Sequence, residues 1–276
     1  ATTTAINGGG VTTEGVQTYN SNITLGAAST TLMQTNVDTD FTLLAGKSIS
    51  NATGGNASLV IKTTGAVVLD GASSIASATG ALATTLWADS DNNNNGYIHL
   101  DAASSITSHG GNITLGGGSN PATDYAVGNA THSQGVKLDG ALNGGGGNIL
   151  VHGSGFASGG DGIKKEGSAA IQTSGTGSIT LDGIGYGDHH ATSLYAASGA
   201  SISAENGAIS LTGHANNASA SGSGQWGVDL NNVTVTTANG NISLVGDSDN
   251  PASYGTSTYL STLRTTGSGS ISQTSN

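Results

Sequence analysis

The sharpest chemical motif in the chain is Asp91-Asn92-Asn93-Asn94-Asn95-Gly96-Tyr97-Ile98. It matches Asp-x-Asn-x-Asn-Gly-x-Ile, the opening of a calcium loop. There, hard oxygens from carboxylates, amides and carbonyls surround the ion, and Gly permits the sharp turn. Asp91, Asn93 and Asn95 are the candidate ligands, and Asp89 and Asp101 stand near enough in sequence to add charge. The match breaks where the bidentate acid belongs, because that place is Ala102 and Asp101 falls one residue early. The competing reading is an Asn-rich turn whose side chains cap backbone groups without a metal.

Other combinations are weaker. Asp247-Ser248-Asp249-Asn250-Pro251 has a similar character with fewer ligands, and Asp188-His189-His190 sets three metal-capable side chains in a row, with His214 further on. Neighbours on an extended strand point to opposite faces, so His189 and His190 are not expected to share one ion, and a solvated loop is the simpler reading. Polysaccharide-cleaving chemistry needs a cationic base or paired carboxylates at a fixed separation. Arg264 and the pair Lys164-Lys165 lie far in sequence from any acidic cluster, while Asp182, Asp188 and Asp229 could align on one face. No Ser-His-Asp order or nucleophile elbow is visible, so the expectation is a protein that is not an enzyme, with no cofactor other than calcium.

Trp87, Trp226, Tyr186, Tyr195 and Tyr254 lie in or beside long loops. Exposed rings can stack on sugars or proteins; the alternative is that they cover the core beneath those loops. Asn-x-Ser/Thr triplets occur at Asn51, Asn56, Asn129 and Asn217. In a chain this rich in Asn, Ser and Thr, such triplets arise by chance.

These residues sit on a repeat. Gly, a small or polar residue, Ile, Ser or Thr, Leu recurs at Gly111–Leu115, Gly177–Leu181, Gly207–Leu211 and Gly240–Leu244, with weaker copies at Gly147–Val151 and Gly269–Gln273. The repeated Ile falls at positions 113, 149, 179, 209, 242 and 271, in steps of 36, 30, 30, 33 and 29. Each period holds two further apolar phrases, such as Ala200-Ser201-Ile202-Ser203 and Gly227-Val228-Asp229-Leu230. Alternation of apolar residues with Ser or Thr is the signature of strands with one buried face.

Three short strands per period of about 30 residues describe a parallel β-solenoid, with Gly before each strand expected to allow a positive-φ corner. About nine coils would make a rod of roughly 43 Å. A single domain over residues 1–276 is expected, noisier over 1–110 and regular over 111–276. The long connections, Gly116–Gln134, Gly213–Trp226 and Val245–Tyr259, all follow the Ile-x-Leu strand, so one edge should carry the working loops.

Composition removes several classes. Lys and Arg number 6 against 17 Asp and Glu, for a formal net charge of −11. That cannot neutralise phosphates, which excludes nucleic acid and anionic membrane surfaces as partners. No apolar run approaches the ~18–20 residues of a membrane-spanning helix, and the N-terminus does not read as a signal peptide. Cysteine is absent, so neither a disulfide framework nor a thiolate metal site is expected.

Gly110-Gly111-Asn112-Ile113-Thr114-Leu115, the preceding Leu100–Thr107, and the opening Val11–Asn20 with Asn22–Gly26 resemble strand motifs of filamentous-haemagglutinin-like bacterial surface exoproteins. The resemblance is one of repeat style over most of the chain. It implies a right-handed parallel β-helix, secretion to the extracellular bacterial surface, and a role in adhesion. The family's N-terminal secretion domain is not recognisable. The expected partners are a host or neighbouring-cell surface glycan or protein, or copies of the chain itself. The strand pattern runs to Ile271, close to the last residue, Asn276, with no cap in evidence. That leaves open a segment of a longer adhesin or a subunit that polymerises head to tail into a filament or sheath.

Overall fold

The computed structural model describes residues 3–157, 159–187, 192–195 (backbone only), 199–216, 225–250 and 254–276. Among these are thirty strands and no helix. The strands follow from the alternation in the sequence, which sends one set of side chains to each side of an extended chain. In Ile179–Tyr186, for instance, Ile179, Leu181, Gly183 and Gly185 are buried while the residues between them are half-buried.

The strands form three parallel sheets of ten, eleven and nine members, here called A, B and C. Each sheet takes every third strand, so the chain passes from A to B to C and returns to A one level up. The result is a β-solenoid of nine strand triplets, separated by eight full turns, with a final A–B pair. The eleventh strand of sheet B, Ala126–Val127, pairs beside the main path. At ~4.8 Å per level, the ten strands of sheet A span roughly 43 Å.

Register keeps like residues in line. Sheet A stacks Ile23, Ile49, Ile75, Ile106 and Leu142. The repeated Ile of sheet B stacks as Ile113, Ile149, Ile179, Ile209 and Ile242. Sheet C stacks Leu43, Leu69, Leu100 and Leu138. Nearly all of these are wholly buried, and the core is a thin column of aliphatic ladders. The first half stacks in the same three sheets as the second. Its opening coils, from Ile23 to Ile49 and from Ile49 to Ile75, are shorter than those that follow. Two of its inward positions on sheet B hold Thr30 and Thr84, stacked on either side of Leu59.

The repeated Gly does not act through a positive φ. Gly111, Gly147, Gly177, Gly207, Gly240 and Gly269 all have ordinary φ, and the left-handed residues fall just before them, at Gly110, Gly146 and Gly175. The repeated Gly is required by stacking: each lies against backbone of the preceding coil with no room for a side chain. The Asn that follows it has its own task. Asn112 Oδ1 accepts the Asn148 N–H at 2.9 Å, Asn148 Oδ1 accepts the Ser178 N–H at 2.9 Å, and Asn241 Oδ1 accepts the Ser270 N–H at 3.0 Å. Each thereby ties its coil to the next.

Connections from C to A and from A to B are uniformly short. Among the described residues, the B-to-C corner alone holds long ones, including residues 88–97 and 117–135.

Candidate functional site

The loop of residues 88–97 closes on Asp89. This residue is fully buried, and its carboxylate accepts the N–H groups of Asn93, Asn94 and Asn95 at 3.0, 3.2 and 3.3 Å. Asp89, Asn92 and Asn94 adopt left-handed φ, as Asx-rich turns permit. Burial pushes the Asp89 carboxyl up to about 6, against the lowering effect of its backbone donors. Asn93 Nδ2 donates to Asp91 Oδ2 at 3.0 Å and to Asp38 Oδ1 at 3.1 Å, and Asn95 Oδ1 accepts from Asn129 Nδ2 at 3.0 Å. Asp89, Asp91, Asn93 and Asn95 are thus brought together. Asp101 lies apart from them, beyond the far end of the intervening strand Ile98–Leu100.

The two long loops form one body. Gly96 and Val127 exchange backbone hydrogen bonds of 3.0 and 2.9 Å, and Trp87 Nε1 donates to Gly118 O at 2.7 Å. Between this body and the preceding coils lies a pocket of about 250 Å³, whose lining includes Asp38, Asp40, Tyr97, Asn129, Thr131 and His132. The Tyr97 and His132 rings stack with centroids 4.2 Å apart. Burial, reinforced by Asp40, pushes the Tyr97 hydroxyl up to about 12. The pocket therefore offers carboxylate and amide oxygens beside a stacked pair of rings, a combination suited to hydroxyl-rich ligands.

Beside it, the outward face of sheet C carries two of the six Lys and Arg side chains in line with a histidine. His99, Lys137 and Lys164 occupy the same register in three successive coils. Just past each strand follow Asp70, Asp101, Asp139 and Glu166, one per coil. Lys137 Nζ lies 3.1 Å from Asp139 Oδ2 and 3.8 Å from Glu166 Oε2; Lys164 Nζ lies 3.2 Å from Glu166 Oε1 and 3.9 Å from Asp161 Oδ2. Three of these four contacts are local in sequence; the register adds the fourth, from Lys137 to Glu166 in the next coil. Lys165 points the other way, into the Leu ladder beside Leu138, and is 1% exposed. Its ammonium donates to the carbonyls of Glu166 and Gly167, and burial pushes its pKa down to about 8.

Within this face, ligand atoms of His99, Asp101 and Asp139 lie within 4.8 Å of one another. His99 Nε2 and Asp139 Oδ1 are buried without a hydrogen-bond partner. Burial first, and Lys137 second, hold the imidazole below its ordinary pKa. Neither His99 nor Asp139 stands out in the sequence. The available signal was His99-x-Asp101 followed one coil later by Lys137-x-Asp139, legible only once the register is known.

The remaining sequence candidates disperse. Asp182 and Asp229 lie on different sheets, B and C, and do not share a face. Asp182 Oδ2 accepts the Tyr125 hydroxyl at 3.0 Å and lies 3.5 Å from Nδ1 of the buried His152, beneath the long loop. His214 contacts Asp247 at 3.0 Å and Asp249 at 3.5 Å. Arg264 is exposed on the last strand of sheet A. Trp87 lies under the Lys62 ammonium at 3.9 Å, Tyr186 lines a second pocket with Phe156, Trp226 is half-buried, and Tyr254 is exposed. Asn51 is buried and bonded to Gly55 and Ser77; Asn56 and Asn129 serve as backbone caps. The Asp188-His189-His190 run, the Tyr195 side chain and Asn217 fall outside the described residues.

Comparison with protein-family models, with curated proteins and with solved structures finds no match for this chain.

Proposed function

We propose that this chain is a structural and adhesive rod of the bacterial exterior, without enzymatic activity, that makes its contacts through the loops of the B-to-C corner. One observation carries the reading: three sheets hold an unbroken register while the long insertions all leave from a single corner. A scaffold of this kind separates stiffness from recognition, because backbone hydrogen bonds along the axis set the first and the loops set the second. The pocket beside Tyr97 and His132, rich in carboxylate and amide oxygens, favours a surface glycan as the contacted group.

The test uses the purified chain immobilised on beads and presented to bacterial and epithelial cells and to a glycan array. Capture is expected, with at least a tenfold loss for a variant carrying Asp38→Ala, Asn129→Ala and Thr131→Ala. A control carrying Ser48→Ala and Thr107→Ala on sheet A should bind like the parent. Equal losses in both variants, or no capture by the parent, would overturn the reading. Concentration-dependent filaments formed without any surface binding would replace it with the self-assembling subunit.

A further inference from the structure

We propose that His99, Asp101 and Asp139 bind a divalent transition-metal ion of the zinc type, which joins two successive coils across sheet C. His99 and Asp101 belong to one coil and Asp139 to the next, and their ligand atoms already lie within 4.8 Å of one another. Ligands of one small ion sit about 3 to 4 Å apart, given bonds of ~2.0–2.2 Å, so modest side-chain adjustment closes the site.

The second observation is independent of that geometry. His99 Nε2 and Asp139 Oδ1 are removed from solvent and have no hydrogen-bond partner. Buried polar atoms are rarely left unsatisfied, and two within one cluster of ligand atoms are groups that a bound cation would satisfy. The side chains of His99 and Asp139 are 18% and 14% exposed, so the cluster lies at the outer face of sheet C and not within the core.

The donor set decides the class of ion. One imidazole nitrogen with two carboxylates suits zinc and its neighbours, whereas calcium requires six to eight oxygens. Asp101 therefore belongs to a different ion and a different set of partners from the Asn-rich loop. Lys137 is the built-in competitor. Its ammonium sits 3.1 Å from Asp139 Oδ2, but it also reaches Glu166 at 3.8 Å, so it can turn to that acid when an ion takes its place.

The test is calorimetric titration of the full chain with zinc sulfate, supported by the visible absorption of bound Co²⁺. Binding of one ion lost on mutation of this cluster is expected, with at least tenfold weaker affinity in His99→Leu and in the near-isosteric Asp139→Asn. Lys137→Met is expected to tighten binding several-fold, which a purely structural role for the cluster would not produce. Far-UV circular dichroism confirms that each variant is folded, and Asp139→Asn with Lys137→Met carries the test if His99→Leu is not. Absence of zinc binding overturns the proposal, as does binding that all these variants leave unchanged, which would move the ion to a site such as His214 with Asp247 and Asp249. Displacement of zinc by millimolar calcium overturns the assigned class.

Discussion

Gly207 lies so close over Gly177 that a β-carbon on Gly207 would overlap the Gly177 carbonyl oxygen; Gly240 stands in the same relation to Gly207, and Gly269 to Gly240. The neighbour in each case is backbone, which cannot swing aside. Gly207→Ala is therefore expected to destabilise the fold by about 1–3 kcal/mol. Gly15→Ala, where nothing lies within 4 Å and φ is ordinary, should change stability by less than ~0.5 kcal/mol. Urea denaturation of the two variants checks the difference.

Lys165 interrupts the Leu43–Leu69–Leu100–Leu138 ladder with a buried ammonium. Its pKa is about 8 in the folded chain against 10.5 ordinarily. Between those values the unfolded chain holds the proton that the folded chain has released. The parent should therefore gain stability as pH rises from 8 towards 10, by on the order of 3 kcal/mol. Lys165→Leu removes the buried charge and is expected to stabilise the protein at pH 7 by about 1–3 kcal/mol. The advantage should shrink when urea midpoints are compared at pH 7 and pH 10.

Asp89 has the opposite sign. Its carboxyl titrates at about 6 when folded and at 3.8 ordinarily, so between pH 4 and pH 6 the folded chain retains a proton that the unfolded chain has lost. Asp89 should make the protein less stable as pH climbs through that window. Asp89→Asn is expected to flatten this part of the stability profile, measured as the difference between parent and variant thermal midpoints at pH 4 and pH 6.5.

Asn148 bonds the Ser178 N–H at 2.9 Å and its hydroxyl at 3.0 Å in the next coil. The pair is exposed, so water replaces much of what is lost. Asn148→Ala should cost about 0.5–1.5 kcal/mol, and hydrogen exchange at the Ser178 amide should quicken while that at buried Leu181 holds to within the global loss.

The Ile ladder of sheet B was legible because Ile113, Ile149, Ile179, Ile209 and Ile242 each sit inside the same alternating phrase, and alternation states which face is buried. The approximate coil number, the three strands per coil and the loop-bearing corner followed from that pattern. The first hundred residues looked irregular for two reasons: their opening coils are shorter than the later ones, and Thr30 and Thr84 stand where Ile is expected. Lys165 could not be placed from its type, since a lysine beside a lysine reads as surface. Nor could the meeting of His99 and Asp101 with Asp139, because a long insertion separates the two coils in sequence. Pairwise proximity across coils is set by the register, and insertions hide the register from a reading in even steps.

The parallel stacking has a mechanical consequence. Tension applied along the axis pulls directly on the hydrogen bonds between levels, and a level that gives way releases its whole coil. The coil from Ile179 to Ile209 holds about 30 residues, or roughly 100 Å of extended chain in place of ~4.8 Å of rod. Under load such a molecule lengthens in discrete steps roughly twentyfold longer than the rise they replace. A tether built this way absorbs a sudden pull by releasing chain one level at a time, while the remaining levels stay folded.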